Sequence, residues 1–150
     1  MKRKLIVLIF LLLSVVFDGF SQVRKTEQTY QSVALAKLAS RTNHGSSRGL
    51  KVKAVVLAGL TVTDDGLFYI LHLKDEKSKF EIKAAEGSFL VCTYETIGKP
   101  LKDKRNEWVD RKVNLYTQAR DVGLSPFEYV AFVTKIELLG QEGEVIDTIQ

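Results

Sequence analysis

Asp64-Asp65-Gly66 separates two apolar runs, and those runs leave the chain between Leu50 and Lys83 little choice but an antiparallel β meander. Asp-Gly tolerates the positive φ angles of a tight reversal, and both flanks are rich in β-branched and aromatic residues. Before the turn, Val52, Ala54, Val56 and Ala58 share one face, with Lys51 and Lys53 opening the other. Val55 and Leu57 then make that second face apolar, which predicts burial on both sides. Gly59 interrupts the run ahead of Leu60 and Val62. A glycine there marks a bulge or bend, the device that curls a sheet toward a barrel. After the turn, Leu67, Tyr69, Leu71 and Leu73 alternate with Phe68, Ile70, His72 and Lys74. Asp75 to Ser78 is a charged turn, and Phe80 and Ile82 alternate with charged neighbours as a short third strand.

The 150-residue chain divides around this meander. Residues 1-21 begin with Lys2-Arg3-Lys4, continue as an apolar run from Leu5 to Phe17, and end on the small residues Gly19 and Ser21. That order describes a signal peptide cleaved after Ser21, and the run is short for a membrane span of about 20 residues. No cysteine follows it, which argues against a bacterial lipoprotein anchor. Cleavage removes Lys2, Arg3, Lys4 and Asp18, taking 22 basic and 18 acidic residues to 19 and 17, a formal charge of +2. Such a surplus is a poor footprint for nucleic acid. Cys92 is the only cysteine, so the exported domain has no internal disulfide and reads as holding together by packing, with Cys92 as a small buried residue.

Residues 22-49 read as containing a helix within Val23 to Ser40, which Thr26 can cap, with Tyr30, Val33, Ala34, Lys37 and Leu38 on one stripe, followed by a flexible link from Arg41. Residues 50-140 hold the β domain. Ser88 to Ile97 is a buried segment that fits strand or helix, ended by Gly98-Lys99-Pro100. Leu101 to Arg111 is a charged loop holding Trp108, Lys112 to Gln118 is a strand, and Glu128 to Leu139 is a long last strand with Val130, Phe132, Thr134, Ile136 and Leu138 on one face. Residues 141-150 are an acidic tail with little reason to be ordered.

A bent long first strand with Gly59, a second from Leu67 to Lys74 entering a charged turn, and a closing Val133 to Leu139 resemble the OB-fold, a five-stranded, partly open Greek-key barrel. The expected fold class is therefore mainly β: a five- to six-stranded antiparallel small barrel, OB-like, with one N-terminal helix. The resemblance covers about Leu50 to Gly140 and includes no motif specific to a family. A strand over Phe89 to Ile97 sits awkwardly with it, because OB-folds place a helix between strands three and four. The resemblance implies binding of oligosaccharide, nucleic acid or protein over strands two and three, through either the Phe68, Ile70 and His72 set or the Leu67, Tyr69 and Leu71 set.

Among the remaining constellations, Lys99, Lys102, Lys104, Arg105, Arg111 and Lys112 surround Trp108 and could grip an anionic or sugar ligand by charge and stacking, although Asp103, Glu107 and Asp110 interleave with them. The candidate ligand-binding residues are Trp108, Lys102, Lys104, Arg105, Arg111, Tyr69 and His72. His44 and His72 have no metal-ligand spacing, so no metal site and no cofactor is expected. Gly45-Ser46-Ser47-Arg48-Gly49 matches GxSxG in letters, but an expected helix before it and strand after it reverse the order of a nucleophile elbow, and no catalytic residue is assigned. The reading is an exported, periplasmic or extracellular, non-enzymatic binding module for a protein or glycan partner in the cell envelope. The alternative is a small hydrolase-like enzyme using scattered acids, Ser47 and His72. Nucleic acid is the least favoured partner, and no membrane span is expected after cleavage.

Overall fold

The computed structural model describes residues 29–39, 49–83, 89–120 and 129–150. The expected signal segment and most of the expected linker lie outside these residues. Among the described residues eight strands form the fold: β1 (Tyr30–Val33), β2 (Gly49–Val62), β3 (Phe68–Asp75), β4 (Phe80–Ile82), β5 (Phe89–Tyr94), β6 (Lys112–Arg120), β7 (Tyr129–Leu139) and β8 (Val145–Ile149). Helix α1 (Leu35–Leu38) follows β1, while α2 (Glu95–Asp103) and α3 (Arg105–Trp108) lie between β5 and β6.

Strands β2, β3, β5, β7 and β6 pair in that circular order, and the pairing of β6 with β2 closes a five-stranded barrel. One contact in the ring, β5 with β7, is parallel and the others are antiparallel. A mainly β, closed barrel with α2 and α3 between its third and fourth strands is consistent with the OB-like fold expected from the sequence.

The third barrel strand is β5, not the Phe80 segment. Strand β4 is a three-residue strand pairing only the end of β3. The apolar run from Phe89 is a strand for six residues and turns helical at Glu95, so both readings of that segment hold in succession. Gly98 and Pro100 suggested a break, yet both lie inside α2. Pro100 falls within the helix's first two turns, and its ring and missing N–H disturb only that early part of the ladder. Gly98 has a packing reason. A Cβ there would stand 2.1 Å from Cγ of Tyr69, whose ring lies directly against the helix backbone. The expected loop from Leu101 to Arg111 is thus mostly helical, and Ile97, Leu101 and Trp108 join Tyr69 and Leu71 in the main core.

The inward face of β2 changes phase twice. Register shifts fall between Val52 and Val55 and between Leu57 and Gly59. Ala54 takes φ 52 at the first irregularity. Leu50 and Val52, then Val55 and Leu57, then Leu60 belong to the core, while Ala54 is exposed. The uniform Val52, Ala54, Val56, Ala58 face expected from strict alternation is broken for that reason, whereas the bulge expected at Gly59 is present. Strand β7 behaves alike: a shift opposite Tyr116 and Thr117 puts Ala131 and Val133, then Ile136 and Leu138, in the main core. Val130 and Phe132 go to a second cluster, so the single face expected for β7 is split.

At the N-terminal end, Tyr30–Val33 is a strand running parallel to Gly49–Val52, and among the described residues of the expected helix only Leu35–Leu38 are helical; the expected Thr26 cap lies outside the described residues. The helical stripe lost to pairing with the open edge of β2 and to the edge-on contact of the Tyr30 and Tyr116 rings, 4.9 Å between centroids. Beyond Gly140, the expected tail instead forms a turn and β8, paired with β7.

Replacing Gly98 with alanine tests the plug. Alanine favours helix by about 1 kcal/mol over glycine, but its methyl group collides with a buried ring. Chemical denaturation should show Gly98→Ala less stable by about 2 kcal/mol; equal or greater stability would mean that Tyr69 yields freely.

Candidate functional site

Alternation on β3 settles which set of side chains faces out. Tyr69, Leu71 and Leu73 are buried in the barrel, and Phe68, Ile70 and His72 are half-buried on its outside. Tyr69, a candidate ligand contact, is instead a core residue, 7% exposed. Its neighbour strand β5 pairs Tyr94 with Phe68 and Cys92 with Ile70, and β7 in turn pairs Phe132 with Cys92. Three rings therefore meet outside the barrel: Phe68 and Tyr94 at 5.4 Å, and Tyr94 stacked on Phe132 at 5.1 Å and 9°. Leu90, Cys92, Val130 and Phe132 form the buried floor of this patch. Tyr94 is 48% exposed at its margin, and Leu67, in the preceding turn, is 60% exposed.

The turn beside the patch is tightly built. Asp65 Oδ1 accepts from Thr63 Oγ1 at 2.5 Å and from the Leu67 amide at 3.0 Å, and Thr63 Oγ1 accepts from the Phe68 amide at 3.1 Å. Those donors hold the Asp65 carboxyl below its usual value. Gly66 supplies φ 72, as Asp-Gly predicted. His72 shares a 2.9 Å hydrogen bond with Thr61, its ring lying over Gly59.

The basic loop does not form a grip. Trp108 is 0% exposed, and among the described residues its indole Nε1 has no hydrogen-bond partner, while Lys102 and Arg105 are exposed on the helical segment. Lys104 is committed to Asp147 of β8 at 2.8 Å, which raises the lysine and lowers the aspartate. The chain folds the aromatic inward because the barrel end needs a plug, so stacking by Trp108 on a ligand is removed as an option. Cys92 is buried, and burial pushes its thiol up to about 12, leaving no reactive thiolate.

A polar cluster that the sequence reading passed over lies on the outer side of β2, β6 and β7. Register places Asn114 opposite Glu137 and Tyr116 opposite Lys135. The Glu137 carboxylate accepts from Asn114 Nδ2 at 3.0 Å and Tyr116 OH at 2.9 Å, and pairs with Lys135 at 2.6 Å and Lys51 at 3.7 Å. Lys51 also donates to the Tyr116 hydroxyl. Lys51 and Lys135 stand over the Tyr116 ring at 4.4 and 4.6 Å. Burial pushes the Glu137 carboxyl up, but hydrogen bonds from Lys135, Asn114 and Tyr116 outweigh it and bring it down to about 2. A carboxylate so held neither takes nor gives a proton near neutral pH. The cluster is a clasp tying three strands together, and the signal for it was the cross-strand pairing of polar positions in two otherwise apolar runs.

Two measurements follow from these positions. Trp108 fluorescence should be blue-shifted and resist acrylamide quenching; a red-shifted, readily quenched emission would place the indole in water. For Glu137, a depressed folded-state value means stability that is present above about pH 4.5 and lost as pH falls toward 2, on the order of 3 kcal/mol. Urea titrations should show Glu137→Gln less stable at pH 7 and the gap to the parent closing on acidification, whereas a pH-independent gap would refute the clasp.

The chain matches no protein-family model and no curated protein sequence. Among solved structures it is similar to a chain assigned as an aspartyl-tRNA synthetase from Leishmania major Friedlin, with 14% identity and a TM-score of 0.42, over 79% of this chain and 22% of that one. The strand pairing, rather than that likeness, establishes the barrel.

Proposed function

We propose that this chain is an exported, non-enzymatic binding module that recognises a protein or glycan partner in the cell envelope through the outer face of β3 and β5. The observation that carries the reading is the aromatic margin of the second cluster, where Tyr94 and Leu67 are exposed beside Phe68. An exposed ring over an ordered apolar floor offers binding area at little entropic cost, whether to a sugar face or to a protein side chain. The barrel interior is filled by side chains, so a partner would meet the outside. The order of residues 1-21, a basic start followed by a short apolar run, supports export. His72 meets a threonine rather than an acid or a serine, which suits a surface residue better than a catalytic base.

The test uses envelope glycan and envelope protein fractions from the source cell, each incubated with the purified chain. Retention on one fraction is expected, weakened about tenfold by Tyr94→Ala and unchanged by Lys99→Ala on α2. Retention that ignores Tyr94 and Leu67, or none on either fraction, refutes the reading.

A further inference from the structure

Away from the aromatic face, a cleft of about 550 Å³ is lined by Asp110, Arg111 and Lys112 on one side and Leu139 to Gln141 on the other. A second hollow of about 250 Å³ shares Lys112 and the Leu139 to Gln141 wall and continues to the turn holding Glu76 and to Glu142. We propose that this cleft is a separate binding site for a sugar bearing a single carboxylate, an inference independent of the aromatic face.

The charge arrangement selects the ligand. Among the described residues, the Arg111 guanidinium has no hydrogen bond or ion pair, and its planar fork suits a carboxylate. Lys112, beside it, already holds a carboxylate: Glu76 reaches across from the β3 turn to 3.3 Å from its Nζ. Both partners of that contact are more than half exposed, so an incoming carboxylate can replace Glu76 at low cost. Asp110 and Glu142 repel a polyanion but accept hydrogen bonds from hydroxyls, and Gln141 both donates and accepts. Among the described residues, Leu139 is the one large apolar residue in the wall, and no aromatic ring lines it. A peptide would need somewhere to put its side chains; a hydroxylated, singly charged ring needs what this wall provides.

The wall is also held in shape. Two of the left-handed non-glycine residues among those described, Asp110 and Ala54, line the two hollows, and the third, Lys79, ends the turn that carries Glu76. Such backbone persists only where its surroundings enforce it, and it concentrates at binding sites. Here β2 enforces it: the Asp110 amide donates to Leu57 O at 2.8 Å and the Leu57 amide to Arg111 O at 3.0 Å. Arg111 and Lys112 are thereby presented from a fixed ledge rather than a loose loop.

The isotopically labelled whole chain is titrated, with amide shifts read by NMR, against a galacturonate disaccharide, the matched neutral galactose disaccharide and acetyl-dialanine with a free carboxylate. Galacturonate should move the amides of 110–112 and 140–143, and the neutral sugar should not. Arg111→Gln should weaken binding about tenfold. Glu76→Gln, which removes the resident carboxylate, should tighten it about threefold, a gain that a merely structural Glu76 would not produce. Both side chains are exposed, so both variants keep the parent fold. No shift with galacturonate, equal shifts with the neutral sugar, tighter binding of acetyl-dialanine, or a Glu76→Gln variant that binds more weakly would each overturn the site.

Discussion

The fold depends on one strand serving two halves of a barrel. Fourteen residues of β2 would extend about 46 Å if flat, too long to follow a small barrel wall without bending. Its first half pairs with β6 and its second with β3, and Val56 is shared, facing Lys112 on one side and Lys74 on the other. The irregularities at Ala54 and Gly59 lie on either side of that crossing. Each resets the alternation, so Val52, Val55, Leu57 and Leu60 all reach the same core although strict period two forbids it. The sheet turns there because the backbone gives up two regular steps for continuous burial.

Closing the ring leaves an open end, and the helical segment fills it. Trp108, Leu101 and Ile97 complete the core against Tyr69, with the helix approaching close enough that Gly98 must be a glycine. Burying the indole costs its Nε1 a hydrogen bond, a penalty of about 1–3 kcal/mol that the burial of so large a side chain offsets. A domain with a single cysteine, and so no internal disulfide, needs that kind of completeness. The Glu137 clasp serves the same end outside the barrel: β1, β2, β6 and β7 meet where Tyr30, Lys51, Tyr116 and Glu137 are locked together.

What the sequence displayed and what it hid divide along the range of the forces involved. The Asp64-Asp65-Gly66 reversal, the bend at Gly59 and the strands at Lys112 and near Leu139 are local, written in turn chemistry and alternation, and each is present. Tyr30–Val33 reads as helix on local grounds and is a strand because β2 offers an edge 19 residues later. The Leu101 to Arg111 stretch looks like a solvated loop because its charges outnumber its apolar residues, yet Leu101 and Trp108 are the two that matter for packing. The candidate contacts scattered for the same reason. Tyr69 and His72 are three residues apart and so on opposite faces of one strand, and Trp108 turned away from the lysines around it. The role of Glu137 was hard to see because, apart from Lys135 on its own strand, its partners Asn114, Tyr116 and Lys51 come from other strands and are brought together by register.

A barrel packed this fully can present ligands only with what closure leaves over, namely strand faces turned outward and the turns at its rim. These two resources differ in kind. The outward face of β3 and β5 is apolar and aromatic, built from the even-numbered half of an alternation whose odd-numbered half is core, so its character is tied to stability. The rim at Asp110 to Lys112 is polar and mixed in sign, attached to β2 by two backbone hydrogen bonds, and its side chains contribute little to the fold. Substitutions at the rim can therefore change what is recognised without unfolding the barrel, whereas changes at Phe68 or Ile70 disturb both at once. The same bulged strand that forces closure fixes the ledge on which the charges stand, so the geometry of the rim is inherited from the core.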